Sequence, residues 1–233
     1  MSDPLPTLLV PALLSTPRLY ADQLPQLWRF GPVIVADHTR DDGVPAIAKR
    51  ILAEAPPRFA LVGLSMGGYI ALEILRQAPG RVAKLALLDT SARPDAPEQS
   101  EGRRALMALA RSGRFGEIAD MMYPRLVDKS RHNDANLKQI VRTMAQEIGP
   151  EAFVRQQSAI MTRPDSRPTL TSIRCPTLVL VGESDALTPP ELASELAAGI
   201  AASRLVKVPG SGHLSSLEQP AAVTRALVEL LQS

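Results

Sequence analysis

A serine hydroxyl attacks a carbonyl only when a base takes its proton, so the residue types that matter are a presented serine, a histidine and a carboxylate. Gly63-Leu64-Ser65-Met66-Gly67 offers the serine. The apolar run Phe59-Ala60-Leu61-Val62 precedes it, and the helix-like Gly68-Tyr69-Ile70-Ala71-Leu72-Glu73-Ile74-Leu75 follows it. The pentapeptide alone is a weak signal, and its position on a strand-to-helix turn gives it weight. Gly63 and Gly67 supply the lack of bulk that a sharp turn needs. Such a turn projects the Ser65 hydroxyl from the carboxyl end of a sheet. The N–H groups that open the next helix then face the same point.

The chain has three histidines, which keeps the search for the base short. His213 lies in the Gly-rich Pro209-Gly210-Ser211-Gly212-His213-Leu214, after the strand-like Arg204–Val208 and before the last helix. A histidine there can hang over the sheet edge and reach Ser65. His38 follows the strand-like Val33–Asp37 and reads as a loop residue. His132, in the charged run Asp128–Asp134, reads as solvated. The base needs a carboxylate to fix its tautomer and stabilise the imidazolium. Asp185 is the candidate, because Gly182-Glu183-Ser184-Asp185 turns off the end of the buried run Cys175–Val181. Glu183 is expected to point elsewhere. Asp89, closing Leu85-Ala86-Leu87-Leu88-Asp89, is the alternative acid, and a strand-terminal aspartate often has a structural task instead.

Positioning these groups requires a sheet. Six buried strand candidates, at 7–11, 33–37, 59–64, 84–89, 176–182 and 204–208, alternate with helical stretches that begin near Pro17, Val44, Ser65, Pro189 and Leu217. That alternation predicts an α/β fold, a mostly parallel sheet of about six strands with helices on both faces. Residues 93–172 break the alternation with four helix-like stretches, 98–112, 115–128, 134–148 and 150–162, punctuated by Gly113, Asn133, Gly149-Pro150 and Pro164. They read as a helical lid inserted into a core formed by residues 1–92 and 173–233. Met107, Met121, Met122, Met144 and Met161 all fall in the lid. They are read as lid core or as a pliable apolar wall for an acyl or alcohol group. Met121, Met122 and Leu214 are the substrate-contact candidates.

The order Ser65, Asp185, His213, with the Gly63–Gly68 elbow, the Gly182–Asp185 turn and Gly212-His213…Glu218-Gln219-Pro220, resembles the α/β-hydrolase family over essentially the full length. Small bacterial esterases with a helical cap are the most similar branch. The resemblance implies Ser65 as nucleophile, His213 as base then acid, and Asp185 as the orienting acid. It also implies a reduced set of N-terminal strands. Family members carry His-Gly and an apolar residue after the first parallel strand, whereas this chain has Pro11-Ala12-Leu13. By position, Leu13 and Met66 supply the oxyanion-hole N–H groups, and Ala12, lacking glycine's freedom, is expected to alter the loop. The implied activity is hydrolysis of carboxylic esters of small or medium acyl chain. A lactonase, a carbon–carbon bond hydrolase and a non-catalytic small-molecule binder are the alternatives.

Composition sets the remaining bounds. A length of 233 residues suits one domain with a good core, and 45% hydrophobic content with net charge +2 describes an ordinary globular chain. Scattered basic residues and 3% aromatics provide no nucleic-acid platform. Cys175 is the single cysteine, which excludes an internal disulfide and any cysteine-rich metal site. The segment Met1-Ser2-Asp3-Pro4-Leu5-Pro6 lacks a positive leader pattern, and no apolar run is long enough to span a membrane. The expectation is a cytoplasmic monomer or homodimer that needs no metal or organic cofactor.

Overall fold

A computed structural model describes residues 4–233, so the first three residues of the N-terminal segment read for a leader lie outside the described residues. Six strands, β1 (Thr7–Val10), β2 (Val33–Val35), β3 (Phe59–Leu64), β4 (Val82–Leu88), β5 (Thr177–Gly182) and β6 (Ser203–Val208), form one sheet in the order β2-β1-β3-β4-β5-β6. Every pairing is parallel. All six expected strands are present. β2 stops two residues early, because Asp37 Oδ1 accepts from the Thr39 N–H (2.9 Å) and turns the chain away.

The strands alternate their side chains between two cores. Leu8, Val10, Leu61, Leu85, Leu87, Val179 and Val181 face one side, and Leu9, Val62, Leu64, Ala86, Leu88, Leu178 and Leu180 face the other. A parallel sheet that is apolar on both faces must be covered on both. The helices in the first half are α1 (Leu24–Leu27), α2 (Val44–Glu54), α3 (Met66–Gln77), α4 (Pro97–Leu109) and α5 (Ile118–Leu126). They continue with α6 (Ala135–Met161), α7 (Arg167–Leu170), α8 (Pro190–Gly199), α9 (Ser215–Glu218) and α10 (Pro220–Gln232). Helices α2, α3 and α8 cover the first face, and α10 covers the second. The helix expected from Pro17 is two short turns, a 3-10 turn at Pro17–Tyr20 and then α1.

Helices α4 to α7 lie between β4 and β5 in sequence. Ile118, Tyr123, Leu137, Val141, Met144 and Phe153 of this insertion share a core with Leu9, Val62 and Leu64 of the sheet. The break expected at Gly149-Pro150 is present inside α6. Gly149 has φ 77°, ψ 167°, a conformation that costs a side-chain-bearing residue. The short α7 was not expected, since four residues carry no readable periodicity. Among the described residues, no helix is long and apolar enough to cross a membrane.

The strand order reverses between β1 and β3, which are neighbours although β2 lies between them in sequence. Loops leaving the carboxyl ends of strands at such a switch point diverge and open a crevice. The loop after β1 and the turn after β3 meet there.

Candidate active site

β3 ends at Leu64 and α3 begins at Met66, so Ser65 alone makes the turn, at φ 55° and ψ −114°. Such a backbone costs on the order of 1–3 kcal/mol and persists only where its surroundings enforce it. Here the Ser65 N–H donates to Leu88 O (2.9 Å) and Thr90 Oγ1 donates to Ser65 O (2.8 Å), clamping the turn to the end of β4. The glycines are required by close approach. A Cβ on Gly63 would collide with Gly67 O, one on Gly67 with Val10 O, and one on Gly68 with the Thr90 side chain. The Ser65 hydroxyl does not cap its helix and is left available.

His213 stands on the loop between β6 and α9. Its N–H donates to Leu126 O (2.9 Å). The buried Glu218 carboxylate accepts from the N–H groups of Gly212 (2.9 Å), Leu214 (3.3 Å) and Asp128 (2.7 Å), fixing that loop against the end of α5. Ser65 Oγ–H donates to His213 Nε2 (2.8 Å), and His213 Nδ1–H donates to Asp185 Oδ2 (2.8 Å). Asp185 Oδ1 accepts from the N–H groups of Leu187 (2.8 Å) and Thr188 (2.9 Å), and Oδ2 also accepts from Thr188 Oγ1 (2.7 Å). The three residues singled out from the sequence therefore form one continuous hydrogen-bonded chain, and Glu183 is exposed as expected.

Burial and charge oppose each other in this chain. Burial alone would raise Asp185, but the charge and hydrogen bond of His213, with the Thr188 bonds, hold it below the usual carboxylate range. Burial alone would lower His213, but Asp185 outweighs it and raises the imidazole above its ordinary value.

Asp89 does not reach the histidine. Its Oδ1 accepts from Gly182 N–H (2.9 Å) and its Oδ2 from Ser215 Oγ–H, so it ties β4, β5 and α9 together. The alternative acid thus has the structural placement a strand-terminal aspartate often has. Burial, followed by the charge of Asp185, pushes it up to about 8.

The loop after β1 closes a turn, with Ser15 N–H donating to Ala12 O (3.1 Å). Ala12 is the residue singled out from the sequence as the one whose limited freedom would alter this loop. The strained residue is Leu14, at φ 56°, and Ala12 is not among the residues of positive φ. The N–H groups of Leu13 and Met66 have no partner among the described residues. Two buried polar side chains brace the loop. Gln156 Oε1 accepts from Leu14 N–H (3.2 Å), and His38 Nε2–H donates to Ala12 O (2.9 Å). His38, read as a plain loop residue, is buried, and burial depresses its pKa and keeps it neutral. Gln156 had no sequence signal, because a glutamine at one helix register is indistinguishable from a surface one. His132 is half-buried rather than solvated, with Nε2 enclosed and without a hydrogen-bond partner among the described residues.

A cavity of about 790 Å³ opens above Ser65 and His213. Leu13, Met121, Met122, Met144 and Leu214 line it, whereas Met107 and Met161 do not. The methionines of the segment between β4 and β5 thus divide between cavity wall and packing, with Met121 largely exposed at 56%. Among the described residues, no group of three or more His, Cys, Asp or Glu is placed to hold a metal ion.

The family model of the alpha/beta hydrolase family matches residues 10–226, and the chain belongs to that family. It is 28% identical over 199 residues to a putative carbamate hydrolase, RutD, of Variovorax paradoxus, covering 84% of this chain and 73% of that one. It is 29% identical over 221 residues to a pimeloyl-[acyl-carrier protein] methyl ester esterase of Neisseria meningitidis, covering 89% of this chain and 85% of the relative. Among solved structures, a thermophilic esterase from Thermogutta terrifontis with malate bound superimposes with TM-score 0.89 at 35% identity, covering 98% of this chain and 89% of that one.

Proposed function

We propose that this chain is a serine hydrolase that cleaves carboxylic esters of small or medium acyl chain through an acyl-enzyme on Ser65. The observation that carries the reading is the pair of 2.8 Å contacts linking Ser65 Oγ, His213 and Asp185. In this mechanism His213 Nε2 takes the hydroxyl proton as Ser65 Oγ attacks the ester carbonyl. The N–H groups of Leu13 and Met66 hold the oxyanion. The protonated His213 then gives its proton to the departing alcohol. Water, deprotonated by the same nitrogen, attacks the acyl carbon and releases the acid and Ser65. Asp185 keeps the tautomer with Nδ1–H, so that Nε2 presents its lone pair to the serine. Met121, Met122 and Leu214 contact the acyl or alcohol portion in the cavity. The esterase names among the relatives support the reaction class.

The test is hydrolysis of p-nitrophenyl acetate, butyrate and octanoate. Turnover of the shorter esters is expected, and a folded protein that turns over none of the three would overturn the reading. The pH dependence follows from His213, which acts as base only when neutral. Its pKa is raised, so kcat/KM, which reports the free enzyme, should fall with decreasing pH with a midpoint above the ordinary 6.5. A midpoint at or below that value would contradict the Asp185–His213 assignment.

Gln156 sets the oxyanion loop from a distance. In Gln156→Leu the strained Leu14 loses its acceptor and the Leu13 N–H drifts from its aim. A lost donor costs about 10²–10³ in kcat, and a displaced one is expected to cost about tenfold. The reading is kcat for p-nitrophenyl butyrate against a largely unchanged KM.

A further inference from the structure

Gln157 is the neighbour of Gln156 on α6 and is fully buried, yet its Nε2 has no hydrogen-bond partner among the described residues. The amide orientation is fixed by its other end. Oε1 accepts from Arg103 Nη1 (2.9 Å), and a guanidinium has only donors to offer. An enclosed donor left without an acceptor costs about 1–3 kcal/mol. Gln157 lines the same cavity as Ser65.

The wall around it is positive. Arg93, Arg103, Arg125 and Arg163 line the cavity, against Glu98. Asp95 stands behind both Arg103 (2.7 Å) and Arg163, and Glu195 stands behind Arg93 (2.8 Å), which still leaves a cationic excess. One nearly buried carboxylate shared by two guanidiniums is a poor device for stability alone, since desolvating three charges offsets most of their attraction. It is a good device for holding arginines rigid. Burial would raise Asp95, but Arg103 and Arg163 hold it below the usual range and ionised. Arg163 is further fixed by Nε donating to Arg93 O (3.0 Å) and Nη1 to Ile160 O (2.8 Å). Its guanidinium carbon lies 4.1 Å from the centroid of Tyr69. Tyr69 sits one helical turn after Ser65, and both line the same cavity as Arg163.

We propose that this corner of the cavity is a carboxylate subsite, so that the preferred substrates are half-esters of dicarboxylic acids. The free carboxylate accepts from Gln157 Nε2 and lies against the Arg103–Asp95–Arg163 cluster while the ester carbonyl meets Ser65. The inference rests on the hydrolase reading above and narrows its substrate class. Paired charges pre-organised in a dry wall strengthen a charge-assisted hydrogen bond without a cost of reorganisation.

The test compares monomethyl succinate, glutarate and adipate with neutral methyl esters of matching length. The readout is the ratio of kcat/KM for the charged ester over the neutral one. For the native chain the best ratio is expected to be at least about tenfold, as for sites built to hydrogen-bond a substrate group. In Gln157→Leu it should collapse towards one, and in Gln157→Glu, which keeps the shape but adds a negative charge, it should invert. Circular dichroism establishes that each variant folds, and Gln157→Glu carries the test should the leucine variant fail to. A native ratio near one, or a ratio unaltered in a folded variant, would mean that Gln157 merely holds a water, and the proposal would be overturned. Calorimetry of glutarate and adipate with Ser65→Ala separates the two readings. Binding that is lost on Gln157→Leu supports the subsite even if native turnover of every ester is absent. Ester turnover that depends on Ser65, with no dicarboxylate binding, keeps the hydrolase and sinks the subsite.

Discussion

Replacing Ser65 with alanine is expected to lower kcat for p-nitrophenyl butyrate by about 10⁶-fold while leaving the fold intact. The size follows from what the hydroxyl does. It is the only group in the chain of contacts that can form the acyl bond, and without it His213 has no nucleophile to deprotonate except a water that nothing positions. The residual rate would come from the Leu13 and Met66 N–H groups, which do not need the hydroxyl. The fold survives because the serine's structural work is done by its backbone. Its N–H donates to Leu88 O and its carbonyl accepts from Thr90 Oγ1, and both bonds remain in alanine. Its Oγ caps nothing. Alanine meets the same positive-φ strain as serine, so the thermal midpoint should stay within a few degrees. If the folded variant keeps more than about 1% of the native rate, nucleophilic catalysis by Ser65 is excluded.

The parts of this site that were legible in the sequence are those whose chemistry leaves a local mark. Gly63 and Gly67 announce a turn without room for side chains, and the collisions that a Cβ would make with Gly67 O and Val10 O are the physical content of that mark. His213 follows β6 and Asp185 follows β5, so both are delivered to the same edge of a parallel sheet. The inner strands β1, β3 and β5 are readable because both of their faces are buried, which makes them nearly continuous apolar runs, whereas the edge strand β6 keeps Arg204 and Lys207 exposed. What could not be read is what depends on packing between distant segments. Gln156 and Gln157 lie in an amphipathic pattern as two polar residues in succession, yet both are fully buried, one against the loop after β1 and the other against Arg103. The strain in the same loop falls on Leu14, where residue type predicts none, because Gln156 from α6 holds its N–H. His38 looked idle for the same reason, since its partner Ala12 O lies in another segment.

Asp185→Asn should lower kcat by about 10⁴-fold, and the hydrogen-bond pattern explains why so small a change costs so much. Oδ1 accepts from two backbone N–H groups, of Leu187 and Thr188. An asparagine must place its carbonyl oxygen there, because an NH2 facing two N–H donors would lose both bonds. The NH2 is then forced into the Oδ2 position, where it faces Thr188 Oγ1 and His213 Nδ1. A donor at that point favours the tautomer in which Nδ1 accepts and Nε2 carries the proton. Nε2–H cannot take a proton from Ser65, so the variant should fold yet react slowly, and its imidazole should lose the raised pKa that Asp185 confers. Asp89→Asn is the matched control, a second buried carboxyl near the same histidine but bonded to Gly182 N and Ser215 Oγ instead. Its kcat should change by no more than about tenfold, because asparagine can accept at Oδ1 and the His213 tautomer is untouched. Stability should report it differently. Asp89 titrates at about 8 in the folded chain against an ordinary 3.8, so its favourable contribution is complete below the lower value and is lost as pH rises through the higher one. Asparagine has no such loss. The urea midpoint of Asp89→Asn relative to the native chain should therefore improve between pH 6 and pH 9, whereas a pH-independent difference would place Asp89 in an ordinary ionised state. If instead Asp89→Asn lost activity as severely as Asp185→Asn, the orienting acid would be the wrong carboxylate, and the chain from Ser65 through His213 would have to end at β4 rather than β5.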